Sequence, residues 1–161
     1  CHLPQKPLMI LEQGCLEGRV LDGFARLGHH VVGCDVNAHV TNAGRNCFNI
    51  DLRAGTIESS NLKPNEFDLL YSFHTLEHLY DPVRNLVVSK SLLKPGGVLF
   101  FEIPINEKDY DNRDHLHFFS KKSLHLAMKA IFNNYETEDN SFTTEAGVRI
   151  ESIRVVAIKK R

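Results

Sequence analysis

Short apolar runs alternate along this chain with stretches whose apolar residues recur at helical spacing. Pro4 and Pro7 break the start, and residues 8–11 then form an apolar run ending at Glu12, which predicts a buried strand. After a turn over 13–18, Val20, Leu21, Phe24 and Leu27 repeat at helical spacing from Arg19, and Gly28 follows where a left-handed stop favours glycine. A β-branched run, HVVGC at 30–34, closes at Asp35, and a less regular stretch to Gly44 leads to a third short strand near 48–51. FDLLYSF at 67–73 predicts a fourth strand. Pro82 opens a helix to Leu93 with Val83, Leu86, Val87 and Leu93 apolar. Lys94-Pro95-Gly96-Gly97 stops that helix and turns the chain into a near-continuous apolar strand over 98–103. Beyond a polar loop over 106–117, Ser120 caps a helix to Ile131 whose inward face carries Leu124, Leu126, Met128 and Ile131. Segments 135–142 and 148–159 alternate like half-buried strands. The TEAG turn between them is too short for a crossover helix, so they pair antiparallel.

Strand and helix in alternation predict an α/β fold: a Rossmann-like three-layer sandwich around a seven-stranded, mostly parallel sheet with an antiparallel last hairpin. A length of 161 residues suits one domain over 1–161, without internal repeat or linker. The chain opens at Cys1 rather than Met, which leaves room for a preceding cap segment.

Composition adds exclusions. Nineteen Lys plus Arg against twenty Asp plus Glu leave a net charge of -1, so no overall field draws the domain to nucleic acid or anionic lipid. Arg154, Lys159, Lys160 and Arg161 form the one basic cluster and read as a solvated terminus. Cys1, Cys15, Cys34 and Cys47 contain no CxxC pair, which points to reduced, cytoplasmic chemistry. No charged-then-apolar leader and no apolar run of about 18 residues occurs, so neither secretion nor membrane spanning is expected.

The first strand, turn and helix read ILEQGCLEGRV, with Asp35 ending the second strand. In open parallel sheets the first turn and the acid after the second strand meet one ligand, and a carboxylate suits the two hydroxyls of a ribose. An adenosine-bearing cofactor follows. A dinucleotide GxGxxG started at Gly14 would need glycine at positions 16 and 19, where Leu16 and Arg19 stand. Glu12 and Glu17 also bracket the turn and would repel a pyrophosphate, whereas S-adenosylmethionine has no phosphate and carries a sulfonium and an ammonium.

With these motifs stand VVGCD at 31–35, NID at 49–51, FDLLYSFHTLEH at 67–78, LLKPGGVLFFEIP at 92–104 and DHLHFFSKKSL at 114–124. In that order they resemble the class I S-adenosylmethionine-dependent methyltransferases over nearly the whole length, in particular the broad group that includes enzymes of quinone, sugar and antibiotic biosynthesis. The resemblance implies methyl transfer to a small-molecule acceptor, by O- or N-methylation, with S-adenosylmethionine as cofactor. It implies that Glu12, Gly14, Cys15 and Gly18 form the turn around the methionine part and that Asp35 with Val36 holds the ribose. Asp51 with Leu52 would meet the adenine, and Ser72, Phe73 and His74 would lie below the sulfonium. Leu16 departs from the pattern, which has a middle glycine there, and is expected to point into the core beneath the following helix.

Nine histidines is a high count, and His74, His78, His115 and His117 fall where an acceptor would enter. A base is needed mainly when the acceptor is a hydroxyl, and His74, then His115, is assigned that role. His78 is expected to fasten the following helix, and His29 and His30 to be structural. The HxxxH and HxH spacings lack a motif that fixes a metal, so no metal site is expected. Two rivals remain: a non-catalytic cofactor-binding or partner-binding module, and a nicotinamide-dependent oxidoreductase that binds NAD. The oligomeric state is open.

Overall fold

Residues with large β-branched or aromatic side chains assemble the sheet in the order β3-β2-β1-β4-β5-β7-β6. The computed structural model describes residues 6–107, 113–143, 145, 147 and 149–160. Strands β1 (Met9–Gln13), β2 (His30–Asp35), β3 (Asp51–Ala54), β4 (Phe67–Phe73) and β5 (Leu93–Pro104) are parallel. β7 (Arg149–Ile158) pairs antiparallel with both β5 and β6 (Tyr135–Thr143). The chain therefore steps outward from β1 to β3, then returns to the other side of β1 for β4. This reversal opens a crevice at the carboxyl ends of β1 and β4, where an α/β sheet takes its ligand.

Alternate residues of each strand face opposite sides, and each side has its own core. On one, Ile10, Leu52 and Tyr71 pack with Leu21 of helix α1 (Arg19–Arg26). On the other, Leu11, Leu70, Leu99 and Phe101 pack with Leu86 of α3 (Pro82–Leu92) and with Leu124 and Met128 of α4 (Lys121–Ile131). A capping box between Ser120 and Ser123 starts α4. Among the described residues no helix is long and apolar enough to cross a membrane.

The architecture follows the sequence reading, while several elements differ from it. The stretch expected to be irregular is helix α2 (Ala38–Phe48), begun by the Asn37 side chain, which accepts hydrogen bonds from the His39 and Val40 N–H groups. Its buried residues are Thr41 and Gly44, so it has no aliphatic stripe to reveal it. A β-carbon on Gly44 would stand 2.2 Å from the Glu17 carbonyl oxygen, so the helix seats directly on the first turn. Gly44→Ala is expected to cost about 1–3 kcal/mol, read by urea denaturation, because a backbone atom rather than a flexible side chain must move. An unchanged midpoint would show that α2 does not press on the turn.

Elsewhere the helical faces are narrower than expected. Val20, Leu27, Val83, Val87 and Leu126 are exposed, and α4 turns Leu124, Met128 and Ile131 inward, a spacing that places Leu126 on the opposite side. Residues 94–97 do not separate α3 from β5 but form an irregularity within β5, between the pairs Phe67–Leu93 and Leu69–Val98. The basic cluster is not simply solvated. Arg154 donates to Glu102 at 2.8 Å, and Lys159 donates to the Leu93 carbonyl at 2.7 Å. Arg161 lies outside the described residues.

Candidate functional site

The turn after β1 is stitched to the end of β2 by its own backbone. The Gly14 N–H donates to the Cys34 carbonyl at 2.8 Å, with Gly14 at φ 75. A β-carbon there would come within 2.3 Å of the Thr75 hydroxyl oxygen, so glycine is required by conformation and space together. Asp35 organises what surrounds it. One carboxylate oxygen accepts the Leu16 N–H at 3.0 Å, the other accepts the Asn37 N–H at 2.8 Å, and its carbonyl accepts the Gly55 N–H at 2.8 Å. The turns after β1, β2 and β3 thus converge on one buried acid.

They enclose a cleft of about 760 Å³ whose walls include Gly14, Leu16, Asp35, Val36, Phe73 and His74. Such a volume holds a nucleoside-sized ligand. Of the residues assigned from sequence, Gly14, Asp35, Val36, Phe73 and His74 come together here. Glu12, Cys15 and Ser72 lie buried beneath them, and Gly18 starts α1.

Asp51 and Leu52 are not brought to the cleft. They stand at the amino end of β3, where Asp51 pairs with Arg53 at 2.8 Å and Leu52 is buried in the core. The cause is helix α2, which delays the strand so that its carboxyl end leads into Gly55 and Thr56, and these two line the cleft instead. Thr56 carries a hydrogen-bonding backbone and hydroxyl at that place, and a correct reading of α2 would have found it.

Leu16 does not enter the core. It adopts φ 48 and is 56% exposed on the cleft wall. Leu16→Gly is therefore expected to relieve about 1 kcal/mol of left-handed strain, offset by a similar entropy gain of the unfolded chain. Stability should change by less than about 1 kcal/mol, and cofactor affinity should rise as the wall recedes. A loss of about 2–5 kcal/mol in a denaturation experiment would mean that the side chain packs as a core residue after all.

Charge in the site is set by burial. Glu12 is pushed up to about 7 by burial, with the Tyr71 hydroxyl drawing it down and the Asp35 charge adding to the rise. Burial pushes the Cys15 thiol far up, so it is no nucleophile at neutral pH. His74, at φ 49, lies between two acids, with Nδ1 3.5 Å from Glu77 and Nε2 3.5 Å from Glu102. Glu77 chiefly, and Glu102, raise its pKa against the opposing effect of burial. Burial works against the charge of Glu102, but hydrogen bonds from Arg154, Ser152 and Asn140 outweigh it and hold that carboxyl below its ordinary value. Both acids were overlooked in the sequence because the one precedes a histidine in a helical turn and the other sits inside an apolar strand.

His115 does not line the cleft, although Asp114 and Leu116 on either side of it do. Its Nδ1 lies 2.8 Å from a Glu107 oxygen, and its ring meets that of His78 at 4.7 Å between centroids. His78 fastens the segment after β5, not the following helix, through Nδ1 and the Asp114 carbonyl at 2.8 Å. His29 is structural, accepting the Leu8 N–H on Nδ1 at 3.1 Å.

Comparison with known proteins places this geometry. The methyltransferase domain family model matches residues 11–101. Ubiquinone biosynthesis O-methyltransferase from Dinoroseobacter shibae is 38% identical over 101 residues, covering 60% of this chain and 41% of the relative, so the chain spans well under half the length of that protein. Among solved structures, a SAM-dependent methyltransferase from Archaeoglobus fulgidus superposes with a TM-score of 0.80 at 16% identity, over 96% of this chain and 87% of that one. Phosphoethanolamine N-methyltransferase 2 of Haemonchus contortus, in complex with S-adenosyl-L-methionine, gives 0.80 at 14% identity, over 98% of this chain and 50% of that one.

Proposed function

From the premise that this chain belongs to the methyltransferase domain family, we propose that it binds S-adenosylmethionine in the crevice at the ends of β1, β2 and β4 and directs methyl transfer to a hydroxyl of a small-molecule acceptor. The observation that carries this reading is Asp35. Its carboxylate is fixed by two backbone N–H groups on the cleft wall, and each oxygen keeps a further lone pair for a ribose hydroxyl. The turn beside it supplies acid rather than a nest for phosphate, and Gly14 lines the cleft with backbone alone. These features suit a cationic, phosphate-free cofactor and disfavour NAD. A hydroxyl acceptor is favoured by the relatives named O-methyltransferases and by a histidine base at the cleft.

The cofactor supplies a methyl group already activated on a positive sulfur. The protein's share is therefore mainly placement. Phe73 and His74 form the wall at the end of β4, and His74 takes the acceptor's proton as the hydroxyl oxygen becomes a nucleophile. Glu77 and Glu102 strengthen it as a base by stabilising the imidazolium that forms. Turnover should thus rise with pH as His74 becomes neutral. A cytoplasmic setting without nucleic acid partners belongs to the same proposal, supported by the free thiols of Cys15, Cys34 and Cys47 and by the balanced charge.

Thermal denaturation with S-adenosylmethionine, S-adenosylhomocysteine or NAD at equal concentration tests the reading. The two sulfur compounds should raise Tm, since a ligand that binds only the folded state stabilises it, and NAD should not. A larger shift with NAD would replace this proposal with an oxidoreductase, and no shift with any of them with a module that binds a partner.

A further inference from the structure

Glu77 is completely buried, yet neither of its carboxylate oxygens has a hydrogen-bond partner among the described residues. A buried carboxylate is costly unless cations answer it, and the His74 ring, with Nδ1 3.5 Å away, does so on one side only. The side chains around it suit such a cation. Glu77, His78 and His115 each offer a ligand atom, and those three atoms lie within 4.8 Å of one another. They come from the 3-10 turn Leu76–His78 and from the segment after β5, which are locked together where the Leu116 and His117 N–H groups donate to the Glu77 carbonyl at 2.8 and 3.1 Å.

Hydrogen bonds also hold both rings on one nitrogen. The Nδ1 of His78 meets the Asp114 carbonyl at 2.8 Å, and the Nδ1 of His115 meets a Glu107 oxygen at 2.8 Å. A carbonyl can only accept, so Nδ1 of His78 carries the proton and Nε2 keeps its lone pair. Donation from one ring nitrogen to a carbonyl or carboxylate is how metal-ligating imidazoles are held.

We propose that Glu77, His78 and His115 bind one divalent transition-metal ion of the zinc class, beside the acceptor end of the cleft that His78 also lines. Two imidazoles and one carboxylate leave at least one position open for water or an acceptor oxygen, as in catalytic rather than structural zinc sites. Nitrogen donors disfavour magnesium and calcium. The ion's role in turnover rests on the methyltransferase reading, whereas its binding does not. With an acceptor hydroxyl on the open position, the O–H bond breaks and the proton passes to His74. The oxygen's electron pair then forms the bond to the methyl carbon as the carbon–sulfur bond breaks, leaving a neutral thioether.

The test uses the full chain with Cys47 replaced by serine, so that its exposed thiol does not compete. After chelator treatment it is titrated with Zn²⁺ by calorimetry, and metal content is measured after dialysis. The expected result is one ion per chain, with affinity falling about 100-fold or more in Glu77→Gln and in His115→Gln. Co²⁺ in place of Zn²⁺ should give visible absorption bands that these variants lack, and circular dichroism verifies that each variant folds. Substoichiometric metal, or binding unchanged in both variants and so an adventitious ion only, overturns the proposal. Titration with S-adenosylhomocysteine in parallel separates the two ideas. Cofactor binding without metal leaves the methyltransferase reading and removes this site, and metal binding without cofactor does the reverse.

Discussion

Asp35→Ala is expected to damage fold and function together. The substitution removes the acceptor of two backbone N–H groups, those of Leu16 and Asn37, at a residue only 9% exposed. Each N–H left without a partner costs about 1–3 kcal/mol when water cannot reach it, so a loss of about 2–5 kcal/mol of unfolding free energy is expected in urea. From sequence the residue reads only as the acid that holds the ribose. Cofactor binding should disappear as well, because the turns after β1 and β2 lose their common anchor along with the ribose acceptor. Asp35→Asn keeps one acceptor oxygen and should fall between the two in both measurements. A variant with alanine that is fully stable yet does not bind would confine Asp35 to ligand contact. One that is unstable but binds normally when folded would remove it from the cofactor site.

Glu12→Gln is expected to stabilise the protein at alkaline pH. In the folded state this carboxyl keeps its proton up to about 7, whereas its ordinary value is 4.5. The folded state therefore binds more protons than the unfolded state between those values, and stability falls as pH rises through that window. The full effect is on the order of 3 kcal/mol, present as extra stability below pH 4.5 and lost above pH 7. Glutamine cannot ionise. The variant should match the parent near the acid end and exceed it by about 3 kcal/mol at roughly pH 8, by urea denaturation at both. Equal stability across the range would show that water or a cation compensates the Glu12 charge. The same exchange removes a negative charge from beneath the cleft, and a sulfonium cofactor should bind it more weakly.

Much of this was legible in the residues, for reasons that also mark where reading stops. HVVGC and FDLLYSF carry their strands on their face because a parallel strand is covered on both sides and must be apolar almost throughout. Asp35 was legible because it is an acid at the end of such a run. Helix α2 was not, since it packs through Thr41 and Gly44 and leaves no stripe of large side chains. That one omission shifted the start of β3 and carried Asp51 and Leu52 to the wrong end of the sheet. Leu16 was misjudged because nothing in a sequence reveals a positive φ at leucine. The cluster of Glu77, His78 and His115 joins residues far apart in the chain, through backbone hydrogen bonds that no spacing rule anticipates.

Calorimetric titration of the chain with S-adenosylhomocysteine, repeated with NAD and with the Asp35→Asn variant, decides whether Asp35 anchors a sulfur cofactor in this crevice. One S-adenosylhomocysteine site per chain is expected, at least about tenfold weaker in Asp35→Asn through loss of roughly 1.4 kcal/mol of charge-assisted hydrogen bonding, with no heat from NAD. Saturable binding of NAD, or S-adenosylhomocysteine affinity unchanged in the variant, would contradict it.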